Sequence, residues 1–82
     1  MTRTPLSRQR PLLDWVLCRG RRVVRCRLEQ TGDQYRVSVV PHRQRRRLFT
    51  RLFDVGLTAF QRHAAVVAEL RGMGWTLVAY RS

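Results

Sequence analysis

The sequence predicts an α+β fold: an antiparallel three- to four-stranded sheet packed on one face by a single long helix. Three observations carry this. Residues 24–39 alternate apolar and polar on both sides of a glycine-containing turn. Residues 57–70 repeat apolar side chains at spacings of three and four. Pro41 and the pair Gly72 and Gly74 stand where those two elements have to stop. At 82 residues the chain has room for one small core; a domain near this size buries roughly 60–65% of the surface its unfolded chain exposes. The organisation read from this is a flexible basic arm over 1–10, broken by Pro5, followed by a single domain over 11–82.

Taken in order, "PLLDWVLCRG" (11–20) admits two readings. As a helix, Pro11 sits at its first position, Leu12, Leu13, Val16 and Leu17 form one face, and Gly20 ends it. As a strand, Trp15 to Cys18 pairs with the segment beyond "RGRR". The apolar spacing favours the helix. In "VVRCRLEQTGDQYRVSVV", Val24, Cys26 and Leu28 alternate with Arg25, Arg27 and Glu29, and Tyr35, Val37 and Val39 alternate with Arg36 and Ser38. Period-2 alternation on both sides of a short turn is a β-hairpin with one buried and one wet face. A third strand is expected around 45–51, where Arg45, Arg47, Phe49 and Arg51 alternate with Arg46, Leu48 and Thr50. Charge suits an edge strand because it blocks unwanted pairing.

The helix follows. Leu57, Phe60, Ala64, Val67 and Leu70 are its expected sheet-facing stripe. Thr58 with Gln61 forms a candidate capping box, Asp54 is the alternative cap, and Gly72 or Gly74 closes the helix. "WTLVAYR" reads as a final strand, either in the sheet or along its end.

Charge is the outlying property. There are 17 basic residues, all arginine, against 5 acidic ones, for a net charge of +12. Codon bias can replace lysine by arginine, but it does not remove aspartate and glutamate from a surface that ordinarily mixes both signs. Residues 1–51 hold fourteen arginines and three acids, whereas 52–82 hold three arginines and two acids. The cationic device is therefore the N-terminal part, and polyanions are the simplest partners to relieve its self-repulsion.

With Val24, Cys26, Leu28, Tyr35, Val37 and Val39 facing the helix, Arg25, Arg27 and Arg36 share the other face. Strands lie about 4.8 Å apart and same-face residues about 6.8 Å apart, so these guanidiniums form a grid at roughly phosphate spacing. Arginine suits phosphate through its planar, bidentate fork. "PHRQRRRLFTR" (41–51) adds Arg43, Arg45, Arg46, Arg47 and Arg51 without an acid, and Arg21 and Arg22 stand in reserve. The plain alternatives are a solvated sheet face and a charged edge that resists aggregation. Phe49 reads as core, with stacking on an unpaired base as its alternative. The expected function is electrostatic binding of DNA or RNA with little sequence specificity. The runner-up is an interaction module or small subunit docking an acidic protein. A monomer or a homodimer, the latter through Trp75–Tyr80, fits both.

The segment "HAAVVAEL", with Ala64, Ala65 and Ala68, resembles the helix of double-stranded-RNA-binding domains, over residues 64–70 and the strand order. The lysine cluster at the start of that helix is missing; Thr58 and Gln61 stand there. The hairpin, arginine-rich strand and helix ending in "LRGMGW" resemble small bacterial proteins of unknown function. That resemblance implies a shape and no activity.

Other classes find little support. His42 and His63 belong to no recognisable relay, and the five acids fall in a turn, at caps and on solvent faces, so no enzyme is expected. Cys18, Cys26, His42 and His63 have the spacings C-x7-C and H-x20-H, which match no zinc module. No cofactor is expected. Two cysteines are too few for a disulfide framework. No apolar run approaches the roughly 20 residues that span a bilayer. A cytoplasmic protein is expected, with an organelle presequence as the alternative reading of "MTRTPLSRQR".

Overall fold

Four strands run as an antiparallel meander, and a helix then carries the chain back across the sheet to a fifth. The computed structural model describes residues 11–42 and 48–81. The elements are β1 (Pro11–Arg19), β2 (Arg22–Thr31), β3 (Gln34–Pro41), β4 (Phe49–Phe53), α1 (Gly56–Gly72) and β5 (Thr76–Arg81). The spatial order is β4-β3-β2-β1-β5, and every neighbouring pair is antiparallel. The α+β class holds, with five strands rather than three or four and a helix of 17 residues. Among the described residues no helix is long and apolar enough to cross a membrane. The 1–10 segment, read as an arm, lies outside the described residues.

Two hairpin turns set the meander. Arg19 pairs with Arg22 and Thr31 with Gln34, leaving two-residue loops, Gly20-Arg21 and Gly32-Asp33. Each glycine has φ +63°, and no described non-glycine residue has positive φ. Glycine first, then a residue with negative φ, is the type II′ pattern, whose twist matches that of the flanking strands.

The first of these turns overturns the helical reading of 11–19. That segment is β1: Trp15 pairs with Cys26 and Leu17 with Val24. An irregularity between Pro11 and Leu13 absorbs the Leu12-Leu13 doublet. This shift put apolar residues at helical spacing in what is a strand. β1 is paired on both sides, with β2 and with β5. The strand expected around 45–51 is present as β4 from Phe49, with Leu48 outside it, and the 45–47 part of that expectation lies outside the described residues.

The helix packs on β2, β3 and β4. Its buried residues are Ala59, His63, Val66 and Val67, with Leu70 half-buried. The expected stripe is therefore rotated: Leu57 is 67% and Phe60 42% exposed, and Ala64, Ala65 and Ala68 are exposed too. The reason lies at the helix start. A Cβ at Gly56 would meet the Tyr35 ring at 3.2 Å, and Ala59 is fully buried against Leu28 and Val37. Small residues let this end approach the sheet, where Leu57 and Phe60 would hold it away. Neither expected cap operates. Val55 is the N-cap and makes no side-chain hydrogen bond, while Asp54 Oδ1 accepts from Gln34 Nε2 at 3.1 Å.

The helix ends in a Schellman motif. Gly74 (φ +96°) donates its N–H to the Arg71 carbonyl, and Trp75 donates to the Leu70 carbonyl at 3.0 Å. Trp75 and Leu70 then pack on the same core cluster, the apolar contact that accompanies this motif.

Two apolar clusters fill the space between helix and sheet. One is built on Leu17, Val24, Cys26, Val39, Val66 and Val67. The other is built on Leu28, Val37 and Ala59. Phe49 is half-buried and packs against both, in keeping with the core reading of it. His63, 2% exposed, donates from Nε2 to the Cys26 carbonyl at 3.1 Å. Its ring meets Trp15 edge-on, with centroids 5.5 Å apart. Burial pushes its pKa below the usual 6.5, opposed in part by that hydrogen bond and by the charge of Asp14.

Two outcomes follow. Gly20→Ala costs about 1–2 kcal/mol in urea unfolding. The added Cβ meets nothing within 4 Å, so the loss is conformational. Because the folded pKa of His63 is lowered, the folded state binds fewer protons than the unfolded chain. Stability is full above pH 6.5 and falls as pH drops below it, by up to about 1.4 kcal/mol per pH unit. Tryptophan-monitored unfolding from pH 7.5 to 5 measures this, and His63→Gln flattens the slope.

Candidate nucleic-acid interface

The alternation of β2 and β3 places Arg25, Arg27 and Arg36 on the sheet face away from the helix, as the hairpin pattern implies. The pairing of β1 brings acids to the same face. Asp14 lies opposite Arg27 on one side and Arg81 on the other, and Glu29 lies opposite Arg36. Arg25 Nη1 is 3.5 Å from Asp14 Oδ2, and Arg27 Nε is 3.7 Å from Asp14 Oδ1. The Asp14 side chain is 12% exposed, against 41% for Arg25 and 31% for Arg27. The described face thus carries four arginines and two carboxylates. Two of its guanidiniums already face a shared counter-charge, so it is not a grid of free cations.

Arg51 is not on this face. It pairs with buried Val37, which puts it on the helix side of the edge strand. Its guanidinium stands 5.6 Å from the Phe53 ring centroid, within cation–π range. Arg43, Arg45, Arg46 and Arg47 lie outside the described residues.

Arg21 lies in the β1–β2 turn and Arg22 opens β2, and both are exposed. Three further features meet them at this end of the sheet. His42 donates its N–H to the Val23 carbonyl, and Leu48 donates to the Val39 carbonyl, both at 2.8 Å. Arg19 lies beside Gly74, where an added Cβ would meet its Nε at 3.6 Å. Between the turn, the end of β3 and the start of β5 is an open groove of about 520 Å³, bordered by Arg21, Arg22, His42 and Trp75.

Charge is divided along the strand axis. Arg19, Arg21, Arg22 and the helix-terminal Arg71 stand at the groove end, with Glu69 one turn into the helix. Asp33, in the β2–β3 turn, and Asp54, between β4 and α1, stand at the other end with Glu29, and the described cations there are Arg36, opposite Glu29, and Arg81, at the end of β5. The sequence reading missed Arg19, His42 and Trp75. The hairpin alternative for 11–27 was the signal that could have found them, since it makes "RGRR" a strand-to-strand tip.

The two cysteines do not line this groove and lie apart from each other. Burial, helped by the charge of Asp14, pushes the Cys26 thiol up to about 11, so it stays protonated near neutrality. Cys18 pairs with Val23 and Thr76 on the opposite face, so the two cysteines cannot join within one domain. Among the described residues no three His, Cys, Asp or Glu side chains gather as a metal site. In folded protein at pH 8, iodoacetamide labels Cys18 before Cys26; mass mapping before and after denaturation checks the order. Compared with protein families, with curated proteins and with solved structures, the chain matches none of them.

Proposed function

We propose that the protein binds nucleic acid through phosphate contacts centred on the groove end of its sheet. Arg19, Arg21 and Arg22 are the principal cations, and the Arg25–Arg27–Arg36 face extends the surface. The observation that carries this reading is the uneven charge of the described residues along the strands: Arg19, Arg21, Arg22 and Arg71 against Glu69 at the groove end, and Arg36 and Arg81 against Glu29, Asp33 and Asp54 at the other. A chain of net charge +12 is attracted to any polyanion. The division gives that attraction a direction. Arginine supplies bidentate contacts to phosphate, and each neutralised phosphate releases counterions. No element marks base-specific readout, so affinity depends weakly on sequence.

A second reading has its own observation. Among the described residues the outer edge of β5 has no strand partner, and Val78 and Tyr80 on it are 55% and 68% exposed. An acidic protein segment pairing there as an added strand is the alternative occupant.

Fluorescence anisotropy across a salt series tests the first reading. Changing Arg21 and Arg22 to alanine lowers the slope of log affinity against log salt by roughly 1.4 on a single strand, at about 0.7 per phosphate contact. The same two changes at Arg25 and Arg27 do less, because Asp14 already partly neutralises them. An unchanged slope in the Arg21/Arg22 variant removes the groove end from the interface.

A further inference from the structure

We infer that the groove beside Trp75 accepts an unpaired base, so that the preferred ligand is single-stranded rather than duplex nucleic acid. This rests on the nucleic-acid reading above and deepens it. The groove differs from the rest of the cationic surface in what lines it. Val23, Val24, Pro41 and Leu48 form its apolar walls. Leu48 is 66% exposed, a large apolar side chain that core packing does not account for. Trp75 lines the groove and is held in place before any ligand arrives. Its N–H bonds the Leu70 carbonyl at 3.0 Å, Gly74 supplies the left-handed turn before it, and its side chain packs on the main core cluster.

A fixed aromatic among apolar walls, rimmed by Arg21 and Arg22, matches how single strands are held. Bases stack on aromatic rings while guanidiniums follow the backbone, and the stacking tolerates any base. The volume, about 520 Å³, lies within the range of small-molecule sites and is ample for one base. A duplex cannot use such a recess without extruding a base from its stack, which costs a few kcal/mol. Its phosphates would touch only the rim. The open face has a recess of its own, about 660 Å³, lined by Val16, Ala79, Tyr80 and Arg81, but Asp14 lies in it beside Arg25 and Arg27, where its carboxylate repels a phosphate.

The test measures binding of labelled 12-nucleotide RNA and DNA single strands, and of the 12-base-pair duplexes, by anisotropy at fixed salt. Tryptophan emission is followed in parallel. Three variants are compared with the full chain: Trp75→Phe, Trp75→Ala and Leu48→Ser. The last keeps the core intact and the charge unchanged should Trp75→Ala fail to fold. Single strands are expected to bind at least about tenfold more tightly than duplexes and to quench tryptophan emission. Trp75→Ala loses about tenfold on single strands, as one stacked base implies, and Leu48→Ser loses severalfold, both with little change on duplex. Trp75→Phe keeps most of the affinity and loses the quenching. The RNA and DNA arms identify the preferred sugar, and either preference supports the inference. Equal affinity for single strand and duplex, with no quenching by single strands and Leu48→Ser unaltered, overturns the inference and leaves the electrostatic reading standing. No binding to any of the four ligands overturns both.

Discussion

The pairing of β1 with β2 across Gly20-Arg21 is the contact on which the other features of the domain rest. β1 is the strand that β5 also needs, so without it the C-terminal segment has no place in the sheet. Its register sends Trp15 and Leu17 inward to the helix side and Asp14 outward between Arg25 and Arg27. The same register makes Arg19 to Arg22 the tip of a hairpin rather than the end of a helix. Core, counter-charge and cationic end all follow from one pairing, which in turn depends on one glycine at positive φ.

The helix is held by a small apolar interface with a histidine at its centre. A buried imidazole is unfavourable unless its polar atoms are satisfied. Here one nitrogen donates to the Cys26 carbonyl and the ring edge meets Trp15. This ties α1 to β2 and β1 at once. It also costs the fold stability in acid, because the neutral form is the one that burial favours. With a core this limited and a charge this one-sided, a bound polyanion would stabilise the folded state by mass action.

Arginine plays unequal parts around the molecule. Arg25 and Arg27 share one carboxylate, Arg51 lies over an aromatic ring, and Arg21 and Arg22 stand exposed at a turn. Identical side chains thus differ in how much charge they can offer a partner. The difference is set by the neighbours that pairing brings alongside, not by local sequence. The groove end is where exposed guanidiniums, apolar walls and an aromatic coincide.

Much of this was legible in the residues themselves. The β2–β3 hairpin, the facing of its Arg and Val positions, the helix over 56–72 and the final strand all follow from periodicity and punctuation. These depend on nearest neighbours along the chain. The identity of 11–19 did not follow, because a bulge at the Leu12-Leu13 doublet imitates helical spacing. The sheet-facing stripe of α1 did not follow either, since it was decided by how closely Gly56 and Ala59 let the helix approach Tyr35 and Leu28. Nor did the company of Asp14, an acid ten or more residues from the arginines it faces. The sequence by itself determined the β2–β3 hairpin, the helix, the final strand and the excess of positive charge. Only the tertiary structure decided which of the described cations face a carboxylate and where Trp75 meets Arg21 and Arg22, because strand register and helix approach are settled between segments distant in the chain.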